Sequence, residues 1–226
     1  MTTARQRDLV DRPWLAPAPT VERVQLDEAS WVDVVRGMLL ESDAVHDELV
    51  AAVPWEQGRV FRYERWIDEP RLGAFQSGAN RHPALVDVET WITSRYKVRF
   101  ESVALAHYRD ERDSVAFHRD RELRWLDDTL IGVLTLGAQR PWLMKPLTGR
   151  RTDAGDDDHL ADAIDLSPAS GDLMVMGGGC QAAWLHAVPK LRHRVRSRVS
   201  AQWRWTSRRG RRDPNPSYYA PRHFSR

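Results

Sequence analysis

Short runs rich in β-branched and apolar residues at 21–26 and 31–35 flank the polar turn 27–30, a pattern that predicts a leading hairpin. Ser42 then precedes Val45, Leu49, Val50 and Val53, whose helical spacing ends at Pro54, so a helix capped by Ser42 is expected there. A second helix is expected over 84–96. Beyond it the period shortens, and strands are expected at 101–108, 114–120, 129–136, 172–176 and 198–205. Strands that follow helices indicate an α+β, mainly β domain, a sandwich or barrel with its helices on one side. The Gly- and Asp-rich stretch 149–158 reads as a surface loop. There is no internal repeat.

Composition narrows this picture. The 226 residues, 42% hydrophobic and 29% charged, suffice for one core, and the expected division is an N-terminal extension at 1–20, one domain at 21–207 and a basic tail at 208–226. The charge-free run 173–189 is broken by Gly177, Gly178 and Gly179 and holds His186, so it does not read as a membrane span. Residues 1–11 carry Arg5, Arg7 and Asp8 with no apolar stretch, which points to a cytoplasmic protein rather than a secreted one. One cysteine, Cys180, excludes an intrachain disulfide, agrees with a reducing compartment, and is expected to pack in the core. A monomer is expected. Net charge is only +2, yet residues 189–226 hold 12 Lys and Arg against the single acid Asp213. A basic end on an otherwise acidic chain suits a polyanion such as nucleic acid, although a solvated tail has the same composition.

The candidate chemistry begins at His118-Arg119-Asp120. In an extended strand, residues two apart face the same way, so the imidazole and carboxylate can meet one ion. Two imidazoles and a carboxylate leave open positions on Fe(II) for oxygen and a bidentate oxo-acid, with His186 as the third ligand. His-x-Asp alone carries nothing: 8 His and 21 Asp produce about 0.7 such pairs by chance in a chain of this length. Weight comes from residues 198–204, where polar and apolar residues alternate strictly and Arg198 and Arg204 share one face. An amphipathic surface strand has the same alternation. Beside a His/Asp/His set, however, these arginines can grip the carboxylates of a dicarboxylic acid.

With these motifs in order, the chain resembles the AlkB family. Residues 107–122 are similar to its segment from Asn-x-Tyr to the iron-binding His-x-Asp-x-Glu. The likeness continues through 136–140, 171–176 and 181–190, closes on the arginine pair, and includes Pro70-Arg71-Leu72 before the substrate lid. The resemblance implies a double-stranded β-helix (jelly roll) with flanking N-terminal helices. It implies His118, Asp120 and His186 as Fe(II) ligands, and Arg198, Tyr108 and Arg204 as residues binding 2-oxoglutarate. Glu122, Arg71 and Phe75 would contact the substrate. The implied reaction is oxidative removal of alkyl groups, such as those of 1-methyladenine and 3-methylcytosine, from nucleic acid, DNA before RNA, with O2 as oxidant. Two positions depart from the family: Ala106 replaces its Asn and Gln76 stands where a Tyr is expected. Two alternatives remain open, a hydroxylase or demethylase of RNA or protein, and a jelly roll that binds nucleic acid without catalysis. His107, His159, His193 and His223 are read as ordinary polar residues, and most of the ten tryptophans as core.

Overall fold

The alternating runs pair into two antiparallel sheets. The structure is a computed structural model and describes residues 13–62, 64–120, 123–147, 163–210 and 212. In chain order the elements are β1 (Glu22–Gln25), β2 (Ser30–Val35), α1 (Ser42–Ala52), β3 (Glu56–Arg62), β4 (Arg65–Gln76), α2 (Pro83–Tyr96), β5 (Val103–Tyr108) and β6 (Val115–His118). They continue with β7 (Thr129–Gly137), β8 (Leu143–Pro146), β9 (Ile164–Asp165), β10 (Leu173–Gly178), α3 (Cys180–Ala183), β11 (Trp184–Val188) and β12 (Arg198–Thr206). The larger sheet has the order β1-β2-β10-β7-β12-β5-β4-β3, the smaller one β6-β11-β8-β9. This is the expected jelly roll, mainly β with few helices.

Alternation divides the core between the two faces of the larger sheet. Val199, Ala201 and Trp203 of β12 join the cluster that includes Val45 and Leu49 of α1 and Leu85, Val88 and Ile92 of α2. Each fully buried side chain of that size stabilises by roughly 1.5–3 kcal/mol. Gly132 of β7 permits this docking, because a Cβ there would come within 2.9 Å of Ile92 Cδ1. On the opposite face, Ala106, Tyr108, Ile131, Val133, Met174 and Met176 form a second cluster, which lies between the sheets with Trp142 and Met144. The site lies on this inner face.

Two expectations need correction. Ser42 does not cap α1: Glu41, at φ 50, occupies the cap position without a side-chain capping bond, and Ser42 is the first helical residue, its hydroxyl taken by Ser170. The expected strand 114–120 stops at His118. Residues 13–20, expected as extension, contribute to the core, since Trp14 is buried against the α1 and α2 side chains. Of the expected tail, Arg212 lies over the Trp125 ring at 5.3 Å and bridges to that residue. Residues 148–162, which include all of the expected loop 149–158 and His159, and residues 213–226 are outside the described residues.

Candidate metal centre

Strand pairing brings two imidazoles together. β6 and β11 are neighbours with His118 directly opposite His186, and the ring centroids are 4.2 Å apart. Asp120 follows two residues after β6 ends, and its Oδ1 is 3.7 Å from His118 Nε2. One ligand atom from each of His118, Asp120 and His186 lies within 4.8 Å of the others. His118 Nδ1 is 2.9 Å from the Ala116 carbonyl oxygen and donates to it, which leaves the Nε2 lone pair for an ion.

The electrostatics suit a cation. Burial, reinforced by His118, pushes His186 down to about 3, and burial likewise lowers His118. Both rings are therefore neutral near pH 7, the form that binds metal. Burial opposes the charge on Asp120, but the Arg204 guanidinium beside it outweighs this and holds the carboxyl well below the usual carboxylate range. Arg204 Nε donates to Asp120 Oδ2 at 3.0 Å, and its Nη2 is held by Gln202. Trp142 stacks on His186 with ring centroids 5.6 Å apart, giving that ligand an apolar wall.

On the same face of β12 as Arg204, six residues earlier in the strand, is a buried cation with spare donors. Arg198 lies opposite Tyr108 of β5 and Gly137 of β7, and is fully buried. Its Nη2 donates to Thr135 Oγ1 at 3.1 Å, while Nε and Nη1 have no hydrogen-bond partner among the described residues. Leaving a buried charge so poorly paired is costly, and a carboxylate is the group that would complete it. Burial lowers this guanidinium to about 10, so it is still charged at neutral pH. The donor set and the unpartnered arginine thus fit a divalent ion with a dicarboxylic acid. Arg140, on the other side of the hydrogen-bond network, donates to the carbonyls of Asp110, Asp113 and Pro189.

Two of the residues expected to contact substrate, Arg71 and Phe75, lie on β4. Arg71 stands close enough for its charge to lower both histidines, and it pairs with Glu69 at 3.7 Å. Phe75, two pleats further along the same strand face, is 48% exposed. Ala106, at the position of the family's Asn, lies between Gly73 and Ser200 in the register, so small residues floor this part of the face. Glu122 lies outside the described residues. Gln181, Thr135, Arg140 and Trp142 escape a sequence reading as site residues, because nothing in their spacing marks a buried partner.

Residues 47–212 match the 2OG-Fe(II) oxygenase superfamily. The chain belongs to this family. Fe(II) and 2-oxoglutarate, the cofactors of the superfamily, are those the His-Asp-His triad and the arginine pocket fit. Within the superfamily the chain is AlkB-like. It is 29% identical over 179 residues to the alpha-ketoglutarate-dependent dioxygenase alkB homolog 3 of Bos taurus, covering 74% of this chain and 62% of that protein. The chain thus spans less than two thirds of the length of that relative. It is 23% identical over 230 residues to the DNA oxidative demethylase ALKBH2 of Arabidopsis thaliana, covering 86% of this chain and 72% of that protein. Among solved structures, a Trichoplax adhaerens prolyl hydroxylase in complex with a hypoxia inducible factor peptide fragment superposes with a TM-score of 0.54 at 10% identity, covering 77% and 83% of the two chains. That likeness concerns the fold alone.

Proposed function

We propose that this oxygenase removes alkyl groups from nucleic-acid bases, with 1-methyladenine and 3-methylcytosine in DNA as substrates. The observation that carries the reading is the neutral His118/His186 pair with ionised Asp120, together with Arg198, a buried cation with unpartnered donors on the same strand face as the Arg204 that holds Asp120. The names of the AlkB relatives supply the substrate class.

His118 Nε2, His186 and Asp120 would hold the iron, and Arg198, with Thr135 and Tyr108 around it, would hold the far carboxylate of 2-oxoglutarate. Arg204 keeps Asp120 ionised and fixes its carboxylate. Iron, 2-oxoglutarate and O2 together supply the oxidation: one oxygen atom enters the alkyl C–H bond, the other converts 2-oxoglutarate to succinate and CO2, and the hemiaminal then releases formaldehyde and the free base nitrogen. The protein's own share is orientation and exclusion of water, which Trp142, Met144, Met174 and Met176 provide around the ligands. A base inside a duplex cannot reach buried ligands, so the substrate is single-stranded or flipped, and a lesion that pairs badly flips at lower cost. In this reading Phe75, exposed on β4, stacks on that base, Arg71 contacts the strand, and Glu122 is the acid for a cationic base.

The deciding experiment measures formaldehyde and succinate from single-stranded DNA carrying 1-methyladenine or 3-methylcytosine, against matched RNA and a methylated peptide. Release from DNA is expected. Release from RNA in its place would move the substrate to RNA, and release from the peptide alone would overturn the nucleic-acid reading.

A further inference from the structure

The two histidines of the triad are fixed by strand pairing, but the aspartate is not. His118 and His186 face each other across the β6–β11 ladder, whereas Asp120 lies beyond the end of β6, where no neighbouring strand receives its backbone N–H. That N–H donates instead to the side-chain oxygen of Gln181, at 2.7 Å. Gln181 is 1% exposed, and among the described residues its amide nitrogen donates only to the Met176 sulfur, at 3.9 Å. It sits on the single turn α3, five residues before His186. This turn is tied down on both sides: Cys180 Sγ contacts the Trp31 carbonyl at 3.3 Å, and Trp184 Nε1 donates to Asp27 at 2.6 Å.

We infer that Gln181 is a positioning residue, its amide oxygen locking the Asp120 backbone to the unit that presents His186, so that the three ligands are set in one geometry before metal arrives. This rests on the metal-centre reading above. The reasoning is mechanical. Arg204 pulls on Oδ2 of Asp120, and an ion would be bound through the other oxygen. With the backbone held, the two demands are met together; with it loose, the ion pair with Arg204 can draw the carboxylate away. An amide oxygen is suited to this, because it accepts the N–H without adding a second negative charge beside Asp120. A purely apolar residue of the same length would leave the N–H buried and unsatisfied.

The test uses the full chain stripped of metal and titrated with Co(II), which reports its coordination through its visible absorption bands. Gln181→Met keeps side-chain length and removes the oxygen; Gln181→Glu keeps an oxygen that can accept; His186→Ala is the control for the centre itself. Gln181→Met is expected to bind Co(II) about 10- to 100-fold more weakly, as other changes behind metal ligands do, with altered bands. Gln181→Glu keeps an acceptor oxygen but adds an acid beside Asp120, so it is expected to restore the original bands, which report geometry, and not the wild-type affinity. The metal-free melting temperatures show that each variant is folded. Wild-type Co(II) affinity and bands in Gln181→Met would overturn the inference, as would bands equally altered in both variants, which would indicate packing rather than the acceptor. Undiminished Co(II) binding by His186→Ala would instead remove the metal centre on which the inference stands.

Discussion

Replacing Arg198 by lysine should weaken 2-oxoglutarate binding by about 10- to 150-fold, and the structure supplies the reasons. The guanidinium is fully buried on the inner face of β12, steadied by Thr135 Oγ1 and lying 5.8 Å from the centre of the Tyr108 ring. Its Nε and Nη1 are the donors without partners. A carboxylate entering there gains charge-assisted bonds in a planar fork that an ammonium cannot reproduce. Loss of one such bond costs roughly 1.5–3 kcal/mol, which is the stated range in affinity. The same change is readable without turnover. At a 2-oxoglutarate concentration 100 times the wild-type Kd, binding stabilises the wild type by about 2.7 kcal/mol; a 100-fold weaker variant gains only about 0.4 kcal/mol. For a chain of this length that is a rise in melting temperature of about 5–11 °C against about 1–2 °C. Calorimetric titration of the Mn(II)-loaded protein measures the Kd directly. An unchanged titration curve would refute the assignment and put the far carboxylate on a different cation.

His186→Ala should lose bound iron and all succinate formation while remaining folded, since it removes a ligand rather than a core side chain; metal analysis and circular dichroism check this, and normal turnover would dissolve the triad. His107, buried beside Trp55, has no hydrogen-bond partner on either ring nitrogen among the described residues, and burial, with His46 adding to it, lowers its pKa. Because the unfolded chain takes up that proton first, stability should fall as pH drops below about 6.5, by up to about 1.4 kcal/mol per pH unit. Urea unfolding at pH 7 and pH 5 should therefore show a smaller acid loss for His107→Leu than for the wild type, and equal losses would exclude His107 as a source. Neutralising Arg208, Arg209, Arg211 and Arg212 together should flatten the log–log salt dependence of single-strand DNA affinity, by about 0.7 for each phosphate no longer neutralised, with no effect on 2-oxoglutarate binding. An unaltered slope would mean that the strand does not touch this segment.

Much of this protein is legible from local pattern. The alternation at 198–204 identifies β12 and places Arg198 and Arg204 on one face, because side-chain direction in a strand depends only on parity. The helices α1 and α2 and the leading hairpin follow from equally local periodicities. In contrast, β3 and β4 do not read as strands. Their segment is rich in charge, with Arg59, Arg65, Asp68 and Glu69, and holds Pro70; only pairing with β5, some thirty residues away, makes β4 part of the sheet. Identity of the ligands is equally available from the motifs, but their arrangement is not. Parity would have Asp120 continue the strand of His118, whereas β6 ends there because Gln181, across the fold, takes the Asp120 N–H. His107 reads as an ordinary polar residue and is in fact buried with no hydrogen-bond partner on either ring nitrogen among the described residues, and Arg140 reaches three carbonyls from two loops. The chain by itself determined residue types, periods and motif order, since these depend on neighbours in sequence. Burial, register between distant strands and the partners of buried polar groups were decided only by the tertiary structure, because each depends on atoms that folding alone brings together.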